Sequence, residues 1–228
     1  MSSLAVLRAQ LLIYLATTPD DPLYTTAVLN GFLTDAHHHI VDEIHKTNRS
    51  YLVKDVLLTP DATTTQPWST APVLQYSLAT QSPAITDFAY WVELRKTNDD
   101  GDLLQECPLD ALRDAGNGYF AVQFTDDAAV IRLSKDTEQG INVYLKYGYW
   151  PPDMQADTDA PQGIPVKFHD VLPLEACYSF ALGGESELPG ELRARWLDRK
   201  AALLNHVSKR GTWPSRTKVN PFDVEQYV

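Results

Sequence analysis

Histidines are the first residues in this sequence whose types and spacing could do chemistry. Three follow one another at His37–His39, and Glu43 and His45 come next. On a helix, His39 and Glu43 share a face at i, i+4, where two side chains can ligate one metal ion. The zinc-protease pattern His-Glu-x-x-His is absent from this stretch. Because three consecutive histidines on a helix point in three directions, we interpret them as a polar helix face and expect no metal site.

Three carboxylates form the second group. Asp153, Asp157 and Asp159 lie in a stretch rich in proline. Several carboxylate oxygens are what Ca²⁺ prefers, but the spacing is not that of an EF-hand and no glycine stands at the required turn. We therefore interpret the group as a solvated acidic loop.

The sequence has no recognisable nucleophile motif. It contains no Gly-x-Ser-x-Gly elbow, no cysteine with a catalytic signature and no glycine-rich phosphate loop. His169 and Asp170 are only neighbours in sequence. We expect a protein that is not an enzyme, with no catalytic residue and no cofactor.

Composition limits the possible partners. The chain has 228 residues, 44% of them hydrophobic and 21% charged, which is typical of a globular protein. A net charge of −11 argues against a protein that binds nucleic-acid backbone. Cys107 and Cys177 are too few for a disulfide framework, so a reduced, cytosolic folding environment is expected. No apolar run is long enough to predict a membrane segment.

The charge is unevenly distributed. Residues 96–161 carry thirteen acids and five bases, a net of −8, whereas residues 185–218 carry four acids and eight bases, a net of +4. One part of the molecule is therefore expected to be acidic and another mildly basic.

Apolar periodicity predicts two helices at the start of the chain. The first covers residues 4–15. The second begins at Thr25 or Thr26, either of which can cap it, and ends within Lys46–Asn48. Its predicted buried stripe comprises Val28, Phe32, Ala36, Ile40 and Ile44, flanked by Leu29, Leu33 and Val41.

Two more helices are predicted near the end of the chain. Ile164-Pro165 leads into the third, and Pro173 stands either in its first turn or at a kink. The fourth runs from about Glu187 to Lys209. Between the two helical pairs, alternating β-rich runs predict strands at Tyr51–Leu58, Val73–Ala79, Phe88–Arg95, Tyr119–Thr125, Ala128–Ser134 and Asn142–Trp150.

These elements predict an α+β fold. Residues 1–48 and 164–210 form a helical bundle of two N-terminal and two C-terminal helices, and residues 49–163 form an inserted antiparallel β-rich domain. Residues 211–228 have two prolines and no helical period, so they are expected to form an extended C-terminal arm that lies on another subunit or partner.

The sequence resembles the head-to-tail adaptor (connector) proteins of tailed bacteriophages. The resemblance rests on the link Asp-Asp-Pro-Leu-Tyr-Thr between the first two helices and on the strand VYLKY at Val143–Tyr147. It continues through the acidic, proline-containing loop to IPVKFHD at Ile164–Asp170, then to Arg195-Trp196 in the last helix and to the arm.

The resemblance implies a structural virion protein that forms a dodecameric ring under the portal vertex. The arm would bind the portal protein, and the β-rich part would face tail or nozzle proteins. DNA would pass through the ring without specific binding, because an acidic lining repels phosphate. The chain would assemble in the host cytoplasm and end in the virion neck. The residues implied are Trp213, Arg216, Lys218, Phe222 and Tyr227 for portal binding and Asp153, Asp157 and Asp159 for the channel lining.

Two other functions remain open at this stage. One is another neck or tail component, such as a tail terminator or head-completion protein, which would form a ring without binding the portal. The other is a metal-dependent enzyme built on the His37–His45 helix, which stoichiometric zinc in the purified protein would favour.

Overall fold

The computed structural model describes residues 2–61, 64–65, 72–73, 75–97, 102–125, 129–134, 141–182 and 190–210. The fold is α+β, as predicted, with two helices on each side of a β-rich part. The four helices are α1 (Leu4–Tyr14), α2 (Thr26–Thr47), α3 (Val171–Leu182) and α4 (Gly190–Arg210).

Nine short or medium strands lie in the described part between α2 and α3. They are β1 (Val53–Leu58), β2 (Thr64–Thr65), β3 (Pro72–Val73), β4 (Gln75–Ser77), β5 (Phe88–Lys96), β6 (Gln105–Glu106), β7 (Tyr119–Phe124), β8 (Ala129–Leu133) and β9 (Val143–Tyr149). One sheet has the order β1-β9-β5, a second β4-β8-β7-β6, and β2 pairs with β3. The described strands pair antiparallel, as predicted, apart from the two-residue pairing of β6 with β7, which is parallel.

The buried face of α2 confirms the second half of the predicted stripe, Ala36, Ile40 and Ile44, but differs from it in the first half. Thr25 caps the helix, since its Oγ accepts the Val28 N–H at 3.4 Å. Val28 itself is 39% exposed, and Phe32 is only partly buried, whereas Leu29 and Leu33 are buried. The stripe is centred one position further along because α2 faces α3 and α1 together.

The start of the third helix decides between the two predicted positions of Pro173. A 3₁₀ turn at Val166–Phe168 follows Pro165, and α3 starts only at Val171. Pro173 is then the third residue of the helix, where its missing N–H has no intrahelical partner to lose. The first-turn alternative is therefore the correct one.

Two separate apolar cores hold the chain together. The four helices share the first, which includes Leu7, Leu33, Ile40, Leu172 and Leu203. The second lies between the two larger sheets and includes Leu94, Phe120, Ile131, Val143 and Leu145. In β9 the alternate residues Val143, Leu145 and Tyr147 face this second core, as the period-2 pattern predicted.

A close contact joins the end of α2 to the three-stranded sheet. The Tyr90 ring lies directly on the backbone of Gly148, where an added Cβ would be 2.3 Å from its Cζ. His45 contacts this ring edge-on at 5.1 Å and the Trp150 ring at 5.0 Å. The Tyr90 hydroxyl donates to the carbonyl of Arg49 at 3.0 Å. Only glycine at position 148 leaves room for this arrangement.

Candidate functional site

The acidic loop 151–163 is attached to the helices rather than to the sheets. Its carbonyls at Asp159 and Asp157 accept the N–H groups of Leu4 and Ala5, at 2.7 and 3.2 Å. These are first-turn groups of α1, which have no partner within the helix. Met154, on the same loop, is buried in the helical core. The loop therefore covers the N-terminus of α1.

The three predicted aspartates lie in this one loop, and each has a different structural partner. Asp157 pairs with Arg8 at 2.6 Å and Asp153 with His38 at 2.6 Å, although both carboxylates stay exposed. Asp159 accepts the N–H groups of Gln155 and Ala156 at 2.8 Å each. These two bonds lower the pKa of Asp159. The loop exposes negative charge to solvent, and the same carboxylates also hold the loop in its conformation through these contacts.

Two buried histidines hold the end of this loop. His37 Nε2 lies 2.9 Å from the carbonyl oxygen of Gln162, and His169 Nε2 lies 3.0 Å from that of Ile164. A carbonyl only accepts, so both Nε2 atoms carry the proton and donate. Burial lowers the pKa of both rings. Among the described residues, the Nδ1 atom of His37 has no hydrogen-bond partner. Both histidines are therefore neutral members of the helical core.

The interpretation of the histidines as a polar helix face is correct for two of them and wrong for two. His38 and His39 are exposed, whereas His37 and His45 are buried. His37 is buried because it faces the loop at Gln162, and His45 is buried because it packs on the rings of Tyr90 and Trp150. Glu43 lies 3.5 Å from Lys46 and does not join a histidine in a ligand set. Within the described ranges, no three His, Cys, Asp or Glu side chains form a group that could hold a metal ion.

A buried carboxylate that the sequence analysis did not single out connects three helices. Glu175 of α3 is 1% exposed. Its Oε1 lies 2.5 Å from His39 Nδ1, and its Oε2 accepts the Trp196 indole N–H at 2.7 Å. Lys200 Nζ lies 3.6 Å from the same Oε2. Its position was visible in the sequence as an acidic residue inside the apolar run of α3. A buried charge requires partners of this kind.

An open cleft of about 1080 Å³ separates the helical core from the sheets. Its polar centre is an ion pair between Lys54 and Asp87, and the Tyr147 hydroxyl donates to Asp87 at 3.0 Å. Burial is the main cause that raises the pKa of Tyr147. The apolar lining includes Val56, Ile85 and Trp150. The tyrosine and the lysine of this cleft are therefore both already paired with the Asp87 carboxylate.

The predicted portal-binding residues cannot be placed. Trp213, Arg216, Lys218, Phe222 and Tyr227 all lie outside the described residues. What is described is the point from which the arm leaves, at Arg210 beside Tyr51.

Comparisons with known proteins add no family. No protein-family model and no curated protein matches this chain. In the described part of the chain, no helix combines the length and apolarity needed to cross a membrane.

Proposed function

We propose that this protein is a structural virion protein of a tailed bacteriophage, a head-to-tail adaptor. It assembles as a ring that joins the portal vertex to the tail and continues the DNA channel. Helical residues 1–48 and 164–210 pack around the ring, residues 49–163 face tail or nozzle proteins, and arm residues 211–228 bind the portal protein.

One observation carries the proposal: the first two and last two helices share a single core, and every strand in the described part of the chain lies in the insertion between them. This is the order of elements on which the resemblance rests. The IPVKFHD segment also supports it. His169 holds the carbonyl of Ile164, Phe168 is buried, and Asp170 forms a bidentate pair with Arg199 at 2.6 and 2.8 Å. That segment therefore fixes the turn from the acidic loop into the C-terminal helices.

The distribution of surface groups supports a ring as well. Ile13 and Leu23 are large apolar residues with about three quarters of their surface exposed, at 73% and 75%. They lie at the end of α1 and in the link to α2. A patch of exposed apolar side chains is typical of a surface that meets another chain, and these two side chains favour such a surface here.

Co-sedimentation with portal rings tests the proposal. The full chain and a chain truncated after Arg210 are each mixed with candidate portal rings and centrifuged. The truncation removes no described core residue, since the last one is Val207, and circular dichroism checks that its helix content is kept. We expect the full chain to pellet with the ring and the truncated chain to remain in solution.

Other results would redirect or reject the proposal. A protein that forms rings alone but binds no portal would be another neck or tail component, such as a tail terminator. A protein that neither assembles nor binds a portal would overturn the virion assignment.

A further inference from the structure

The outer side of α1 is apolar although it faces solvent. All eleven residues of this helix are described, and the exposed ones are Val6, Ala9 and Ile13, which we call the α1 face. Consecutive helical residues are about 100° apart, so these three lie within about 60° of one another, opposite the buried Leu7 and Leu11. A surface helix carries polar residues at such positions. The α1 face is therefore expected to be covered by another apolar surface.

The one charged side chain of α1 turns away from this face. Arg8 donates to Asn30 of α2 at 3.1 Å and to Asp157 of the acidic loop at 2.6 Å. Ile13 is left with 73% and Val6 with 45% of its surface exposed. Because removing apolar surface from water is favourable, a partner that covers these side chains would be stabilised by their burial.

The outer side of α4 has a matching apolar band. Ala194, Leu197 and Ala201 follow the same spacing of three and four residues as the α1 face, and all three are exposed, Leu197 to 51%. Leu204, three positions further along, is partly buried and continues the band. Residues three and four positions apart lie on one side of a helix. We call these four residues the α4 band.

Charge favours contact between these two surfaces. Acids lie at both ends of α1: Asp157, whose carbonyl binds the first turn and whose side chain is 67% exposed, and the exposed Asp20 in the link to α2. In contrast, α4 carries six bases and two acids, a net of +4, with Arg193 near its start and Lys209 at its end. The acids beside α1 disfavour pairing of α1 with α1 of a second copy, since like charges would then meet at both ends.

We propose that the α1 face of one chain packs on the α4 band of a second copy of the same chain. Because the two surfaces differ, the contact is head-to-tail, and each pair keeps one surface of each kind for further copies. Such a contact closes into a ring when the rotation between neighbouring copies divides a full turn. The inference rests on the ring in the proposed function and names the surfaces that build it.

Sedimentation velocity of the full chain, without portal protein, tests the proposal. We expect assemblies larger than dimers that grow with protein concentration. Ile13→Asp and Leu197→Asp should each be monomeric, because each variant loses one of the two surfaces. Leu103→Asp, at a position outside the helices that is 57% exposed, is the matched control and should assemble like the unaltered chain. Circular dichroism checks that all variants keep their helix content.

An equimolar mixture of the two monomeric variants gives the sharpest result. The intact α4 band of the Ile13→Asp chain can still bind the intact α1 face of the Leu197→Asp chain. The mixture should therefore form dimers that do not grow further. Dimers of Leu197→Asp alone would overturn the proposal, because α1 would then pair with α1. An unaltered chain that stays monomeric into the millimolar range would also overturn it, since something other than a second copy would cover the α1 face.

The portal experiment and this one fail independently. A full chain that pellets with the portal ring, but whose assembly does not depend on Ile13 and Leu197, would keep the adaptor function and overturn this inference. A chain that assembles through both surfaces but binds no portal would support this inference and make the protein another ring-forming neck or tail component.

Discussion

The helical core and the sheet core differ in the polar side chains that they bury. The helical side buries ionisable groups: His37, His45, His169 and Glu175 are each at most 7% exposed. The buried polar side chains on the sheet side are uncharged: Gln81, Ser134 and the tyrosines Tyr76 and Tyr147. The Tyr76 hydroxyl donates to the carbonyl of Ile141 at 2.7 Å, and that of Tyr147 donates to Asp87 at 3.0 Å. This comparison holds for the described residues. It teaches that the helical core depends on protonation states, whereas the sheet core does not in the neutral range.

The difference follows from the elements that enclose each core. Strands satisfy their backbone groups through the ladder, so the space between the sheets can be filled with apolar side chains. The helices instead meet an irregular loop whose carbonyls must find donors inside the protein. His37 and His169 supply two of these donors. Polar groups in the helical core follow from packing a loop, rather than a strand, against helices.

Removing the buried carboxylate should give the largest effect. Glu175→Ala leaves the Trp196 indole N–H without its acceptor and Lys200 without its carboxylate, and we expect a loss of about 3–5 kcal/mol in the free energy of unfolding. Chemical denaturation measures it. Gln81→Ala on the sheet side is the matched control and should cost only about 1–3 kcal/mol, because it leaves no unpaired charge. Equal losses would show that charge does not distinguish the two cores.

A larger side chain at position 148, where the end of α2 contacts the three-stranded sheet, should have the next largest effect on stability. Gly148→Ala places a Cβ against the Tyr90 ring, which His45 and Arg49 hold in position. We expect a loss of about 1–3 kcal/mol from overpacking. In a Tyr90→Leu background the same substitution should cost much less, and the double-mutant cycle measures the difference. An unchanged cost would place the strain elsewhere than on the Tyr90 ring.

Acid should affect the helical core first. Burial lowers the pKa of His37, His45 and His169 in the folded protein, so the unfolded chain binds more protons below the ordinary histidine value of about 6.5. Their stabilising contribution is complete above that pH and declines as pH falls. Each histidine adds at most about 1.4 kcal/mol per pH unit to the slope.

The variant His37→Gln tests this dependence, since an amide N–H can still donate to Gln162 but does not titrate. Denaturation between about pH 5 and 6.5 should show a slope reduced by up to one proton. Exchange of core amides should rise in the helices before it rises in the sheets. A slope that His37→Gln leaves unchanged would contradict the assignment of His37 as a neutral donor.

The exposed ion pair of the acidic loop should contribute least. Asp157→Asn removes the pair with Arg8, and we expect a loss below about 1 kcal/mol that diminishes in salt. Thermal unfolding at two salt concentrations measures it. A larger loss would mean that charge holds the loop, instead of the two buried histidines and the backbone bonds to α1.

Much of the fold could be predicted because its signals are local. The six predicted strands each overlap an observed one, and the Thr25 cap and the start of α2 need only neighbouring residues. Predictions failed where a distant element decided the outcome. Val28 continued the helical pattern of α2, but α3 and α1 pack on another part of the helix.

Less of the candidate site than of the fold could be predicted from the sequence. The three aspartates were correctly placed in one loop, yet their partners Arg8 and His38 lie 149 and 115 positions away. Glu175 offered a signal, an acid in an apolar helix, but its three partners come from α2 and α4. The adaptor function and the role of the arm remain predictions that the portal experiment tests.

By itself the sequence determined the kinds of element, their order and the uneven charge, because periodicity, caps and proline act over a few residues. The tertiary structure alone decided which histidines are neutral and buried and which carboxylates are paired. These properties depend on burial and on partners from distant parts of the chain. A side chain's protonation and hydrogen bonds are set by the surroundings that folding creates.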